Sequence, residues 1–485
     1  MVQAGEDDRA RPLLEAAPRL YETLASQAGS SGSSKIALAP EVILSIKSLT
    51  IVRISWYRDG NAMSPGSVND TILIAGGGIG GLAAAVGLAR LGFRLEVFEQ
   101  AEDFHEVGAG VQLGPNGTRA LAALGLKAQV DRYSWQPDAL VMRDAFNAED
   151  IYRLPLRDGF LRRFGEAYRV IHRADLMELL LEECRRFPSI ALHTGSRAAG
   201  FEDHGNEVTL TLEDGRQAQG IALIGADGLR SVVRQGIVGD GQPRPPQLVV
   251  YRGVIPRREL PDVLWSPDVI MWAGPGADFV QYPLRSGELF NLVATFLPEP
   301  GLDLNDLRGN RDELMRPYRG YRPEVQRLLE LLTVERKWLV TDRAPVRNWA
   351  RGRATLLGDA AHPMLQYMAQ GACQAIEDAV QLTQEVERNH NDLASAFRAY
   401  SDARHDRTAR VQLGARRFVQ VCQARGRFAL ARARYFQWRT ADQAFDRLTW
   451  LYRPATAAPH PAAVTPDPAH ADRKLRARGD NDDAP

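Results

Sequence analysis

The sequence predicts an α/β fold: a parallel-sheet domain split by a sheet-rich insertion and closed by C-terminal helices. Three observations carry this. First, "TILIA" (71–75) is an apolar run leading into the glycines "GGGIGG" (76–81), "LAAAVGLARLG" (82–92) repeats at helical spacing, and "RLEVFEQ" (94–100) is a second strand. A strand, tight turn, helix and strand in that order make a parallel pair. Second, from Gln247 to Val340 the pattern changes to short strands, "LVVYRGVI", "DVIMWAG", "DFVQYPL" and "LFNLVATFL", separated by Pro and Gly, as in an inserted sheet. Third, the chain returns through "ATLLGDAA" (354–361), and helical patterns fill Gly371–Leu451.

Between these landmarks, "VIHRADLMELLLEECRRF" (170–187) reads as a helix with a basic start, and "EVTLTLEDGRQAQGIALIGADG" (207–228) as hairpin strands ending in an acidic turn. The expected divisions are 68–246 with 341–400 for the split domain, 247–340 for the insertion and 401–452 for the terminal helices. Residues 1–67 form a flexible extension in this reading, with Met63 as a candidate natural start. The Pro-, Ala- and charge-rich segment 453–485 reads as a disordered tail.

Composition narrows the function. Lys+Arg and Asp+Glu both total 60, so the net charge is zero and no global field gathers nucleic acid or an anionic membrane. The arginines between Arg398 and Arg439 then read as the solvated face of helices that brace the domain or meet a second copy, not as a nucleic-acid patch. Cys184, Cys373 and Cys422 lack metal or redox spacing and suit a reducing cytoplasm. The apolar stretch 36–56 is broken by Pro40, Glu41, Lys47 and Arg53 and makes no convincing membrane span.

The glycine turn carries chemistry. Gly76, Gly78 and Gly81 fall in the Gly-x-Gly-x-x-Gly pattern after a strand and before a helix. They permit a tight turn, close approach of a pyrophosphate and tight helix–strand packing. The helix start offers free N–H groups to the phosphates, and Glu99, at the end of the second strand, suits ribose hydroxyls. Two further segments follow strands: "DGLRSVVR" (227–234) and "LLGDAAHP" (356–363).

With these three segments in this order, the chain resembles the flavoprotein aromatic hydroxylases, single-component FAD monooxygenases, over about Asp70 to Arg404. The resemblance implies a Rossmann-like FAD domain and a sheet-rich substrate domain. By position, it implies Glu99 on the adenosine ribose, Arg173 of "HRADL" on the pyrophosphate and Asp359 on the ribitol, with Gln112 and Ala372 nearer the flavin. It extends the cofactor contacts to Gly80, Gln100, Arg119, Asp227, Gly358 and Gly371. One fingerprint without a second dinucleotide domain implies that NADH or NADPH binds transiently. Reduced flavin would then react with dioxygen, and a flavin hydroperoxide would hydroxylate an electron-rich ring.

Within the family, "GAGVQLGPNGTRAL", "WAGPGADFVQYPL" and "HPMLQYMAQGACQAIEDA" are similar to the salicylate, 3-hydroxybenzoate and 6-hydroxynicotinate hydroxylases. Several of these hold a His four residues before a Tyr, in contact with the substrate hydroxyl; here Asp278 precedes Tyr282. In a strand that spacing places both side chains on one face. An ordinary carboxylate is a weaker base than imidazole, a mismatch that burial of Asp278 would partly repair; the competing reading is a solvated aspartate at the sheet rim. Gln366 would bind a substrate carboxylate or hydroxyl, and Pro363 lies in the same loop. His362 reads as structural. The substrate expected is a small aromatic hydroxy acid, with a larger or non-acidic aromatic as the alternative and a non-catalytic FAD-binding protein as a third reading. The resemblance allows a monomer or a homodimer.

Overall fold

The computed structural model describes residues 70–104, 109–301, 303, 305–390 and 392–453. The expected extension, the Met63 start and the tail after Arg453 lie outside the described residues. β1 (Thr71–Ala75) is buried along its whole length, as a parallel strand covered on both faces must be. α1 (Ile79–Ala89), rich in Ala and Gly, is buried nearly all round, and β2 (Arg94–Phe98) follows. The chain continues through β3 (Gly110–Leu113), α2 (Pro115–Ala123), α3 (Lys127–Tyr133), β4 (Ala139–Asp144), β5 (Asp150–Pro155) and α4 (Asp158–Phe164). Next come β6 (Arg169–His172), α5 (Arg173–Arg185), β7 (Ile190–His193), β8 (Ala198–Asp203), β9 (Val208–Leu212), β10 (Gln217–Gly220), β11 (Ala222–Gly225) and α6 (Val232–Ile237). The second half holds β12 (Leu248–Pro256), β13 (Val269–Gly274), β14 (Ala277–Leu284), β15 (Leu289–Phe296), α7 (Arg311–Met315), α8 (Pro323–Glu330) and β16 (Trp338–Val340). It ends with β17 (Ala350–Arg351), β18 (Ala354–Leu356), α9 (Gly371–Arg388), α10 (Leu393–Cys422), α11 (Arg427–Gln437) and α12 (Ala441–Tyr452).

One sheet has the order β17-β18-β11-β1-β2-β7; its strands are parallel except for β17. Its register decides where chemistry can occur. Ala75 lies opposite Gly225 and Phe98, and Gly225 lies opposite Leu356. The turn at Gly76, the carboxylates of Glu99 and Asp227 and the Gly358–Asp359 step therefore leave one carboxyl edge side by side, where open parallel sheets bind ligands. α9 lies along α1 in the same direction: a Cβ at Gly80 would meet Ala375, and one at Gly87 would meet Thr383. Both helices thus begin at that edge.

The second large sheet runs β16-β12-β15-β14-β13-β4-β5. The expected insertion, 247–340, is too narrow for it, because β4 and β5 come from the first half of the chain and β4 joins β13 in parallel. β4 pairs with a strand more than a hundred residues downstream, so local pattern could not place this hairpin in the sheet. One face packs Tyr251, Phe279, Phe290, Leu292 and Phe296 against Leu314, Val325, Leu328 and Leu329 of α7 and α8. The opposite face carries Tyr282 and Leu284, with Val254 and Val280 packed against them, and looks toward the parallel-sheet unit. α10 is one continuous helix across the expected boundary at 400. Among the described residues no helix is long and apolar enough to cross a membrane, and no group of three His, Cys, Asp or Glu side chains could hold a metal.

Candidate active site

At the carboxyl edge the glycines divide into those that pack and those that leave room. Gly76 has φ +106°, and a Cβ there would lie 2.2 Å from the Ala226 carbonyl oxygen; a Cβ at Gly81 would lie 2.0 Å from that of Gly76. These two close the turn. Gly78 and Gly371, which cap or start α1 and α9, have nothing within 4 Å of a Cβ position. Two helix N-termini thus face open space, as an anionic ligand requires.

The acidic groups there retain acceptor capacity. Glu99 accepts from the Gly77 N–H (2.8 Å) and the Ala101 N–H (3.0 Å). Asp227 Oδ2 accepts from the Val232 and Val233 N–H groups (2.8 and 3.3 Å), starting α6, while its Oδ1 is buried without a partner. Burial raises the Asp227 pKa against those bonds. Asp359 is accessible to solvent yet ringed by protein; burial raises its pKa, opposed by His362 and Arg173 and reinforced by Asp378. Arg173 opens α5 and lies within electrostatic reach of Asp359. Open helix starts, carboxylates with spare oxygens and a nearby guanidinium fit the phosphates and polyhydroxyl arms of FAD.

Several expected cofactor residues have other engagements. Arg119 donates to the carbonyls of Phe164 (2.6 Å) and Tyr452 (3.0 Å); its guanidinium ties α2 to the ends of α4 and α12, so the expected cofactor contact is corrected to a structural brace. Gln100 is exposed after β2 and Ala372 is half-buried in the first turn of α9. Gln112 accepts from the Tyr168 hydroxyl (2.6 Å) and hydrogen-bonds the Tyr282 hydroxyl. The Pro363 carbonyl accepts from Gln412 Nε2 (2.9 Å).

The substrate-side residues meet on one sheet face. Asp278 and Tyr282 share it, as the spacing requires, but Asp278 is 1% exposed, which rules out a solvated rim aspartate. Its Oδ2 accepts from the Tyr367 hydroxyl and from Gln423 Nε2 (2.8 Å). Burial raises the Asp278 pKa to about 6, and these two bonds oppose the rise. Cross-strand from it, Thr295 Oγ1 accepts from Gln366 Nε2 (2.7 Å). From behind, the Tyr318 hydroxyl donates to the Asp278 and Thr295 carbonyls (2.9 and 3.1 Å), locking β14 to β15. Burial raises the Tyr282 pKa, so it stays a neutral phenol at physiological pH, though Gln112 and Arg252 lower it somewhat. β3 covers Tyr282 so closely that a Cβ at Gly110 would lie 2.4 Å from its ring.

Sequence reasoning missed the groups that hold these pieces together. Arg234, fully buried, donates to the Ala360 and Ala361 carbonyls (2.9 and 2.7 Å) and pairs with Asp240 (2.7 Å), tying the Asp-Gly segment to the Gly-Asp segment. Asp378 accepts from the Gly358 N–H (3.0 Å), meets His362 Nε2 (2.5 Å) and pairs with Arg404 (2.6 Å). Burial pushes the Asp378 pKa up, but His362 and Arg404 outweigh it and the net shift is downward. Glu377 binds both Arg404 (2.6 Å) and Arg407 (2.7 Å). The terminal arginines expected on a solvated face therefore include buried braces. The available signal was helical spacing: Arg404 and Arg407 stand three apart, facing the adjacent acids of "AIEDA".

Comparison with known proteins identifies the family. A family model described as "FAD binding domain" matches residues 69–255 and 322–413. The 3-hydroxybenzoate 6-hydroxylase of Polaromonas naphthalenivorans is 40% identical over 390 residues, 80% of this chain and 97% of that protein. The 6-hydroxynicotinate 3-monooxygenase of Bordetella bronchiseptica is 33% identical over 70% of this chain and 89% of its own. Among solved structures, Klebsiella pneumoniae HpxO complexed with FAD and uric acid superposes with a TM-score of 0.70 at 28% identity, covering 79% of this chain and 97% of that one.

Proposed function

The chain belongs to the FAD-dependent aromatic hydroxylases, and on that premise we propose that it hydroxylates a small aromatic hydroxy acid of the 3-hydroxybenzoate type. When bound, FAD supplies the redox chemistry, taking electrons from NADH or NADPH and an oxygen atom from dioxygen for the ring. Glu99, Asp227 and Asp359 hold its hydroxyl-bearing arms, and Arg173 with the α1 and α9 starts holds its phosphates.

The observation that carries the substrate reading is the shared sheet face on which Tyr282 and Asp278 stand apart with Val280 between them. Four residues of strand span about 13 Å, enough for one substituted benzene ring lying over Val280. Tyr282 orients a polar substituent by hydrogen bonding. Asp278 takes the proton from the substrate hydroxyl, which makes the ring more electron-rich, and Tyr367 and Gln423 steady the carboxyl group through Oδ2. A carboxyl group with a pKa near neutrality suits that transfer. β3 and the 361–370 loop exclude water. The names of relatives matched over most of their length, a 3-hydroxybenzoate 6-hydroxylase and a 6-hydroxynicotinate 3-monooxygenase, support an acidic, hydroxylated ring.

The test is NADH consumption by FAD-loaded enzyme across 3-hydroxybenzoate, salicylate, 6-hydroxynicotinate and larger neutral phenols, with product mass. One hydroxybenzoate is expected to accelerate NADH oxidation and to gain one oxygen atom. Stimulation confined to larger or neutral rings overturns the acid reading.

A further inference from the structure

We propose that Arg252 and Asn291 form the anchor for the substrate's carboxylate, at the side of the pocket away from Asp278. This rests on the hydroxy-acid reading above and specifies how that site recognises its acid group. Arg252 lies opposite Val293, and Asn291 lies opposite both Val254 and Tyr282. Paired residues share a face, so Arg252, Asn291, Val293, Val280, Tyr282 and Asp278 all look toward the parallel-sheet unit. Along β14, Arg252 stands level with Val280, between Asp278 and Tyr282, and two strands across, about 10 Å away.

Both side chains have donors that folding leaves unused. Arg252 Nε is buried without a partner, and among the described residues the guanidinium has no ion pair or hydrogen bond. The guanidinium lies over the Trp338 ring, 4.5 Å from the centroid. Burial and the nearby Arg173 both disfavour its charge, so the fold gives it no compensating anion. Asn291 Oδ1 accepts from the Gly110 N–H (2.7 Å), which fixes the amide orientation and points Nδ2 elsewhere; Nδ2 is buried without a partner. A buried Nε–H and a buried amide donor without acceptors are costly. Two unused donors on one face call for an acceptor-only group, and a planar carboxylate matches the guanidinium fork. Gln366, by contrast, already donates to Thr295. The ring would then lie over Val280 and Val293 with its acid group toward Arg252 and its hydroxyl toward Asp278, keeping the substrate anion away from the buried aspartate.

The experiment compares 3-hydroxybenzoate with neutral 3-hydroxybenzamide, binding each to FAD-loaded wild-type, Arg252→Gln and Arg252→Lys enzyme, with FAD content measured alongside. Wild type is expected to prefer the acid. Arg252→Gln is expected to lower acid binding about 10- to 100-fold while leaving amide binding within a few-fold, with FAD content unchanged; Arg252→Lys recovers part of the preference. Equal weakening of acid and amide, an unchanged preference or loss of FAD in Arg252→Gln overturns the assignment. A wild type that binds the amide and rejects every aromatic acid overturns the hydroxy-acid reading itself, which separates the two failures.

Discussion

A buried carboxyl group keeps its proton longer than an exposed one, even where, as at Asp278, hydrogen bonds to one oxygen oppose the rise. Asp278 titrates at about 6 against an ordinary 3.8, so the folded state favours the protonated form. The stability linked to that proton is complete below about pH 4 and is lost as pH rises through 6; above it, the shift corresponds to about 3 kcal/mol. Asp278→Asn removes the titration. Its melting temperature is expected to fall less than that of wild type between pH 4 and 7, measured by parallel thermal melts. The same substitution removes the proton acceptor. In wild type kcat/KM should rise with pH through an apparent pKa near 6, and in Asp278→Asn it should be at least tenfold lower and flat across that range. A limb that persists in the variant assigns the titration to another group. Half of this residue was legible in sequence: spacing alone placed Asp278 on the face of Tyr282. Its burial was not, because the side chain that covers it, Gln423, lies 145 positions away.

Elements repeat that division between local and distant information. β1, α1 and β2 were readable because strand period, glycine spacing and helical period all occur within about thirty residues. Local pattern does not assign the stretch holding β4 and β5, and the pairing of β4 with the distant β13 is visible only in three dimensions. The pairing of α9 with α10 was also hidden, although it sets the site. Asp378 on α9 holds the Gly358 N–H on one side and Arg404 of α10 on the other, so one carboxylate fixes both the Gly-Asp step and the helix behind it. Arg404 is 4% exposed, and removing Asp378 leaves this buried charge with Glu377, already shared with Arg407, as its one carboxylate among the described residues. Asp378→Asn is expected to cost about 3–5 kcal/mol, seen as a melting temperature several degrees lower. FAD should also bind more weakly, because Gly358 loses its anchor. Arg407→Gln, which still leaves Glu377 with Arg404, should cost clearly less; equal losses would show that the network has no centre at Asp378.

At the scale of the molecule, the proposed cofactor site draws on three stretches that sheet topology brings to one edge, and the same stretches are cross-tied by Arg234 and Asp378. On that proposal FAD binds only when β1, β11 and β18 are in register, and its binding free energy becomes stability of the whole fold: about 2.7 kcal/mol at a free concentration 100 times Kd. The glycines separate this linkage from folding itself. Gly78→Thr places its side chain in open space, at an N-cap where φ is −75° and Thr is a favourable residue; the FAD-free protein should melt within a degree or two of wild type. Added FAD should then raise wild type by several degrees and leave the variant unmoved, since the new side chain occupies the approach to the backbone. Gly76→Thr differs, because φ is +106° and the Ala226 carbonyl lies 2.2 Å from the new Cβ; it should lower the melting temperature with or without FAD. Thermal melts of the three proteins at fixed FAD concentrations decide this. If Gly78→Thr retains the full FAD-dependent rise, the pyrophosphate does not approach this turn, and the cofactor lies elsewhere along the carboxyl edge.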